Sequence, residues 1–228
     1  MITATQIEKN WLKIQEKIKN INGNVNAVKV IPVTKSVGIA EIKSLMSLGF
    51  STFAENRIEK LSDKINQLSN PTVKWDFIGN IQSRKIPDII SCANLIHSVG
   101  STEIINKINS CANKMNKIID ILIQVNVAAE PQKGGFNIEE CKQQFKQFLH
   151  LNHIRIKGLM TMAPQTDDKN LIRKVFKGLR ELRDLFQKDA YADFKELSMG
   201  MSDDFEIAIQ EGATIIRVGS SFFKENDI

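Results

Sequence analysis

Eight short apolar runs alternate with amphipathic helical patterns along almost the whole chain, and this alternation restricts the possible folds more than any other feature. The run at 28–33 is nearly continuous in β-branched and apolar residues, as is typical of a parallel strand covered on both faces. Alternating strands and helices indicate a parallel sheet with helices packed outside it. The predicted strands are 27–34, 51–54, 73–79, 94–99, 118–127, 154–160, 195–198 and 214–218.

This pattern predicts an α/β fold, a single (β/α)8 TIM barrel, with an extra helix over about 3–20 at the N-terminus. The clearest helical patterns between strands are 101–116 and 168–188. A doubly wound open sheet is the alternative, but no Gly-x-Gly-x-x-Gly motif follows the first strand. No linker or low-complexity stretch interrupts the chain, so we expect one domain over 1–228.

Composition excludes several classes of protein. The net charge is +5, but the lysines are scattered and aromatic residues make up only 7%, which argues against nucleic-acid binding. No apolar run approaches the roughly 20 residues that span a bilayer, and the N-terminal residues resemble an amphipathic helix rather than a signal peptide. Three separated cysteines, Cys92, Cys111 and Cys141, fit a reducing cytoplasm and match no zinc-ligand spacing. We therefore expect a cytoplasmic protein with no membrane span and no metal.

Lys35 follows the first predicted strand, at the point where a helical pattern begins. In a barrel, the chemistry lies where strands end and the following loops start. One interpretation is a lysine at a strand end that extends into solvent. The other is a Schiff-base lysine, partly desolvated so that its neutral amine becomes accessible.

The ends of the seventh and eighth strands suggest a phosphate site. Barrels often bind phosphate between these two loops through backbone amides, and Ser202, Gly219 and Ser220 occupy the expected positions. Ser202 is alternatively the N-cap of the helix that follows it. Asp203 and Asp204 would repel a phosphate, so we expect both to face solvent.

Arg217 lies within the apolar eighth strand, where an inward-facing guanidinium needs acceptors. An outward ion pair with a helix is equally compatible with the sequence.

Several short motifs, taken together and in this order, resemble those of the pyridoxal phosphate homeostasis proteins. That family consists of single-domain barrels that bind pyridoxal 5′-phosphate (PLP) and share the fold of the alanine racemase N-terminal domain, PLP fold type III. The resemblance covers nearly the whole chain. The motifs are Val33-Thr34-Lys35, Glu55-Asn56, Trp75-x-Phe77-Ile78-Gly79, Gln82-Ser83-x-Lys85, Lys133-x-Gly135-Phe136, Gly158-Leu159-Met160, Leu197-Ser198-Met199-Gly200-Met201-Ser202-x-Asp204 and Ile216-Arg217-x-Gly219.

The resemblance implies a role for each site residue. Lys35 would form the Schiff base with PLP, and Arg217 would face the pyridine nitrogen. Ser202, Gly219 and Ser220 would surround the phosphate. The residues implied to line the pocket around the ring are Asn56, Met160 and Ser198.

Three positions depart from the family pattern. Asp76 replaces a usual histidine, Ala54 replaces a usual glycine, and Gly100 stands where aspartate is frequent. None belongs to the motifs implied to hold the cofactor, so we expect the departures to leave PLP binding intact.

The implied function is intracellular PLP homeostasis: a non-catalytic monomer that stores PLP and delivers it through transient contacts with PLP-dependent apo-enzymes. A PLP-dependent amino-acid racemase and a Schiff-base barrel aldolase are the alternatives.

Racemisation needs an acid or base opposite the lysine, and in the resembling racemase a second domain of the partner subunit supplies it as a tyrosine. We expect Tyr191, His150 and His153 on the opposite face of the barrel. His97, near the end of the fourth strand, remains a candidate but is more simply a packed interior histidine. An arginine facing the pyridine nitrogen also leaves the ring unprotonated and a poorer electron sink. We therefore expect no catalytic residue.

Overall fold

A computed structural model describes residues 2–190 and 192–225. It confirms the predicted (β/α)8 barrel with an additional N-terminal helix. The strands are β1 Lys29–Pro32, β2 Thr52–Glu55, β3 Lys74–Phe77, β4 Leu95–Val99, β5 Ile119–Gln124, β6 Ile154–Met160, β7 Glu196–Ser198 and β8 Ile215–Val218. The helices are α1 Ala4–Asn22, α2 Ile39–Ser47, α3 Ile58–Leu68, α4 Ile86–Cys92, α5 Thr102–Lys114, α6 Ile138–Phe148, α7 Lys169–Phe186, α8 Phe205–Gln210 and α9 Ser220–Phe223.

The extra helix α1 has clear local start and stop signals. The Thr3 side chain accepts a hydrogen bond from the backbone N–H of Gln6, which satisfies one of the free donors of the first turn. Gly23 ends the helix in the left-handed conformation with φ 67°, which glycine adopts without a Cβ penalty. Between these caps, α1 buries one face against the barrel.

All eight strands pair in parallel, in the order β1-β8-β7-β6-β5-β4-β3-β2. β1 and β2 then meet near their carboxyl ends, through a bridge between Val33 and Ala54 and a hydrogen bond of 3.0 Å from Thr34 N to Ala54 O. This junction, the β1–β2 seam, closes the barrel. Because β8 pairs with both β1 and β7, the carboxyl ends of these three strands share one part of the barrel mouth.

The main apolar core lies between the sheet and the surrounding helices. A smaller cluster inside the barrel consists of Ile31, Val33, Ala54 and Ile215. Polar residues fill much of the remaining interior, and the ones central to the site are Asp76, His97, Ser198 and Arg217. No described helix is long and apolar enough to cross a membrane.

Gly158 allows β6 and β7 to approach closely. The pairing register of β5 and β6 shifts between Ile121 and Leu122, next to this glycine, as expected at a bulge. A Cβ added at Gly158 would lie 2.0 Å from the backbone oxygen of Glu196, so any side chain there must separate two paired strands.

We predict that Gly158→Ala lowers the free energy of unfolding by at least about 3 kcal/mol, because a backbone oxygen cannot move aside without breaking the ladder. Urea unfolding followed by circular dichroism measures this. Gly134→Ala is the control, since its added Cβ would meet no atom closer than Gln124 Nε2 at 4.0 Å. Equal unfolding midpoints for the two variants would contradict the prediction.

Candidate functional site

Lys35 lies in a turn just beyond β1, at the carboxyl end of the barrel. The change in environment is abrupt, because Thr34 is completely buried whereas Lys35 is exposed. The Lys60 ammonium donates to the Lys35 carbonyl at 3.2 Å, which fixes the turn rather than the Lys35 side chain. Of the two interpretations left open for Lys35, its exposure agrees with a lysine at a strand end that extends into solvent, because the turn carries it past the edge of the sheet.

A buried ion pair supports this turn from below. The Lys64 ammonium on α3 lies 2.5 Å from Glu55 Oε1 and donates to Thr34 O at 2.6 Å. Thr34 Oγ1 donates to the same Glu55 oxygen at 3.2 Å. Glu55 is fully buried and Lys64 nearly so. Charge, hydrogen bonds and burial together hold the residue before Lys35 in one position.

Two backbone amides converge on Ser202 between β7 and β8. Gly219 N and Ser221 N donate to Ser202 Oγ at 3.3 Å and 3.2 Å. An oxygen that already accepts two N–H bonds keeps its own O–H proton for a further acceptor. Gly219 also adjoins the residue directly after β1, since its added Cβ would lie 3.5 Å from Val33. Hydrogen-bond donors are therefore concentrated after β8, the strand next to the one that precedes Lys35.

Ser220, predicted from the sequence for this group, is exposed and begins the short helix α9. Beside the predicted Gly219, the amide that reaches Ser202 is that of Ser221, a residue not predicted from the sequence. The run Gly219-Ser220-Ser221 was the sequence signal for a group of backbone donors. Which of its N–H groups points at Ser202 depends on the turn into α9.

Two expectations about the residues after β7 are wrong. Helix α8 begins at Phe205, with Asp204 rather than Ser202 in the N-cap position. Asp203 is exposed as expected, but Asp204 is buried and accepts from Met201 N at 2.5 Å. Burial raises the pKa of Asp204, although the Met201 N–H and the Arg217 charge act in the opposite direction. The buried carboxylate thus has the Met201 amide as its hydrogen-bond partner, and the Arg217 charge also favours its ionised form.

Arg217 points into the barrel, which decides between the two orientations that the sequence allowed. It is 3% exposed. Its Nη1 donates to Ser198 Oγ at 2.5 Å and its Nη2 donates to Thr161 O at 3.0 Å. Burial lowers the pKa of Arg217 to about 10, partly opposed by Asp204. The guanidinium is therefore still charged at neutral pH.

His97 is an interior histidine, bonded on both sides. Its Nδ1 lies 2.8 Å from Ser198 Oγ and its Nε2 lies 3.2 Å from Asp76 Oδ2. Burial lowers the His97 pKa, against the raising effect of its bond to Asp76. Asp76, one of the departures from the family pattern, is thus connected to Arg217 by hydrogen bonds through two intervening residues, His97 and Ser198.

The other positions singled out from the sequence are spread around the barrel. Met160 is buried at the end of β6, and Asn56 is half-buried directly after β2. His150 and His153 precede β6 at the amino end of the barrel, as expected. Tyr191 lies outside the described residues. Within 2–190 and 192–225, no group of histidine, cysteine and acidic side chains could hold a metal ion.

The two remaining departures from the family pattern are sterically accommodated. Ala54 is fully buried within the interior apolar cluster, and its carbonyl accepts the bond that closes the barrel. Gly100 packs against another glycine: an added Cβ would lie 2.9 Å from Gly135 Cα. A side chain at position 100 would therefore require the β5–α6 loop to move.

Known proteins match this chain over nearly its full length. The family described as "Alanine racemase, N-terminal domain" matches residues 2–227. A pyridoxal phosphate homeostasis protein of Aquifex aeolicus is 36% identical over 213 residues, covering 93% of both chains. Another protein of that name, from Synechocystis, is 34% identical over 86% of this chain and 91% of its own length.

Solved structures of known proteins are also similar to this chain. PipY from Synechococcus elongatus, determined with PLP bound, has a TM-score of 0.83 and 28% identity, covering 92% of this chain and 100% of its own. An alanine racemase of Clostridium difficile has a TM-score of 0.78 at 17% identity, covering 98% of this chain and 58% of its own, which shows a common fold alone. The chain belongs to the pyridoxal phosphate homeostasis proteins, within the alanine racemase N-terminal domain family.

Proposed function

We propose that this protein binds PLP at the carboxyl end of its barrel and serves in PLP homeostasis by storing and delivering the cofactor. The observation that carries the proposal is the convergence of the Gly219 and Ser221 amides on Ser202 Oγ. That donor group lies just after β7 and β8, and β8 pairs with β1, the strand that precedes Lys35. The names of the curated relatives and the PLP-bound PipY structure support the same cofactor.

The chemistry of the donor set fits PLP part by part. Ser202, with the Gly219 and Ser221 amides, offers hydrogen-bond donors suited to a phosphate, and Arg217 offers a cation suited to an unprotonated pyridine nitrogen. When bound, PLP supplies an aldehyde that condenses reversibly with an amine. Lys35 is the amine we assign to this attachment, and the buried Glu55–Lys64 pair keeps its turn in place.

We infer a non-catalytic role from what surrounds these residues. His97 is enclosed between Ser198 and Asp76 in the barrel interior, so it is poorly placed to move a proton at a substrate. Arg217 retains its proton at neutral pH, which disfavours protonation of a ring nitrogen beside it and weakens the ring as an electron sink. An enclosed His97 and an unprotonated ring nitrogen both argue against a racemase.

We also propose that one domain over 1–228 carries the whole function and acts as a monomer. An exposed Lys35 suits delivery during a transient contact with an apo-enzyme, because the attached group stays within reach of an incoming amine. Gel filtration with light scattering, with and without PLP, tests the monomer: a dimer at micromolar concentration would contradict it.

The first prediction from this proposal is that borohydride reduction of the PLP-loaded protein fixes the cofactor on the peptide containing Lys35, which peptide mapping by mass spectrometry detects. Lys35→Ala is expected to lose the absorbance band of the attached cofactor while keeping residual binding through the phosphate donors. Lys43→Ala, which removes an exposed lysine on α2, is expected to behave as wild type. Recovery of the label on any other lysine peptide would refute the assignment.

The second prediction concerns the phosphate. A hydrogen bond to a charged group contributes about 1.5–3 kcal/mol, so Ser202→Ala is expected to weaken PLP binding by roughly one to two decades. Binding of unphosphorylated pyridoxal is expected to change little. Fluorescence titration measures both, with Ser91→Ala on the outer helix α4 as the control. Equal wild-type affinities for PLP and pyridoxal would rule out a phosphate site here.

The third prediction is that the PLP-loaded protein does not exchange the Cα proton of L-alanine, or of other L-amino acids, at turnover rates typical of enzymes. Proton NMR in D2O measures the exchange. Washout at about 1 s⁻¹ or faster would overturn the non-catalytic role, and loss of that washout in His97→Ala would identify the base.

A further inference from the structure

A continuous chain of hydrogen bonds crosses the barrel interior from β8 to β3. Arg217 bonds to Ser198 at 2.5 Å, Ser198 to His97 at 2.8 Å, and His97 to Asp76 at 3.2 Å. Each of the four residues is no more than 3% exposed. Water therefore does not compete for these bonds, and the donor and acceptor roles along the chain must agree.

With a neutral imidazole and an ionised carboxylate, one arrangement of protons satisfies every member, because the carboxylate takes the single imidazole proton on Nε2. A guanidinium can only donate, so Ser198 Oγ accepts from Arg217. The Ser198 proton then points to His97 Nδ1, which must be unprotonated to accept it. The remaining imidazole proton lies on Nε2 and is donated to the Asp76 carboxylate. Hydrogen-bond donation thus runs in one direction, from Arg217 to Asp76.

Asp76 is the residue that selects this direction. A carboxylate offers only acceptors to His97 Nε2, so it requires the Nε2–H tautomer. In the opposite tautomer, the unprotonated Nε2 would face the Asp76 carboxylate, so two acceptors would meet with no proton between them. The Lys29 ammonium lies 4.0 Å from Asp76 Oδ2. Burial, which lowers the His97 pKa, favours the neutral imidazole that this arrangement needs.

We propose that Asp76 and His97 are positioning residues for Arg217, and that they set the plane of its guanidinium through Ser198. Thr161 O fixes the other nitrogen at 3.0 Å. With Nη1 and Nη2 both held, the guanidinium has one orientation in which to meet a ring nitrogen. This last step rests on the proposed PLP site, whereas the proton arrangement does not.

The first test uses the cofactor-free protein and therefore does not depend on PLP. The chain has three histidines, so His150→Gln with His153→Gln leaves His97 as the only imidazole signal. Nitrogen-15 NMR of histidine-labelled protein is expected to show an unprotonated Nδ1 and a protonated Nε2. In Asp76→Asn, both tautomers are expected, because an amide can either accept from Nε2 or donate to it. An Nδ1–H tautomer in the parent, or an unchanged tautomer in Asp76→Asn, would overturn the proposal.

The second test measures recognition of the ring nitrogen. The parent is expected to prefer PLP over a PLP analogue in which carbon replaces that nitrogen. In Asp76→Asn this preference is expected to fall by about tenfold, as for one misaligned hydrogen bond to a charged group. Ile121→Val is the control, since it trims a buried side chain on β5 that takes no part in the hydrogen-bonded chain. An equal fall in both variants, or no fall in Asp76→Asn, would contradict the positioning role. Failure of the parent to bind PLP would instead refute the proposed function and leave the tautomer result standing.

Discussion

The closed barrel depends on one short junction, the β1–β2 seam, and the interaction that secures it is the buried pair of Lys64 and Glu55. Thr34 belongs to the seam through its bond to Ala54 and to the ion pair through its carbonyl and hydroxyl. Removing one partner of such a pair typically costs about 3–5 kcal/mol, because the other charge is left buried and uncompensated. The same contacts that close the sheet therefore also fix the start of the turn that carries Lys35.

Local periodicity predicted the elements of this fold well. The predicted strand 154–160 coincides with β6, and the helix predicted at 168–188 is α7, Lys169–Phe186. Both follow from side-chain spacing within one segment, which a single sequence displays directly. The orientation of Arg217 was left open because inward and outward positions on a strand differ by one residue of register. An arginine is found on either face of a strand, so its residue type does not indicate the orientation.

The parts that could not be predicted all depend on contacts between distant segments. Asp204 was expected in solvent because phosphate was the only partner considered, whereas the structure places it near Arg217 on the next strand. The Ser221 amide was missed because its direction is set by the turn into α9. The support that Lys64 gives to Thr34 joins residues 30 positions apart, and nothing in the surrounding helix distinguishes Lys64 from an ordinary surface lysine.

The exposure of Lys35 has a consequence for discrimination between ligands. An amine that projects into solvent is equally accessible to every small aldehyde in its surroundings, so the shape of the opening does not filter them. At the PLP site we propose, selection would then fall on residence time, which Ser202 would lengthen for phosphorylated aldehydes and Arg217 for those with a basic ring. An aldehyde with neither feature would condense with Lys35 and leave again before it could exclude the proper ligand.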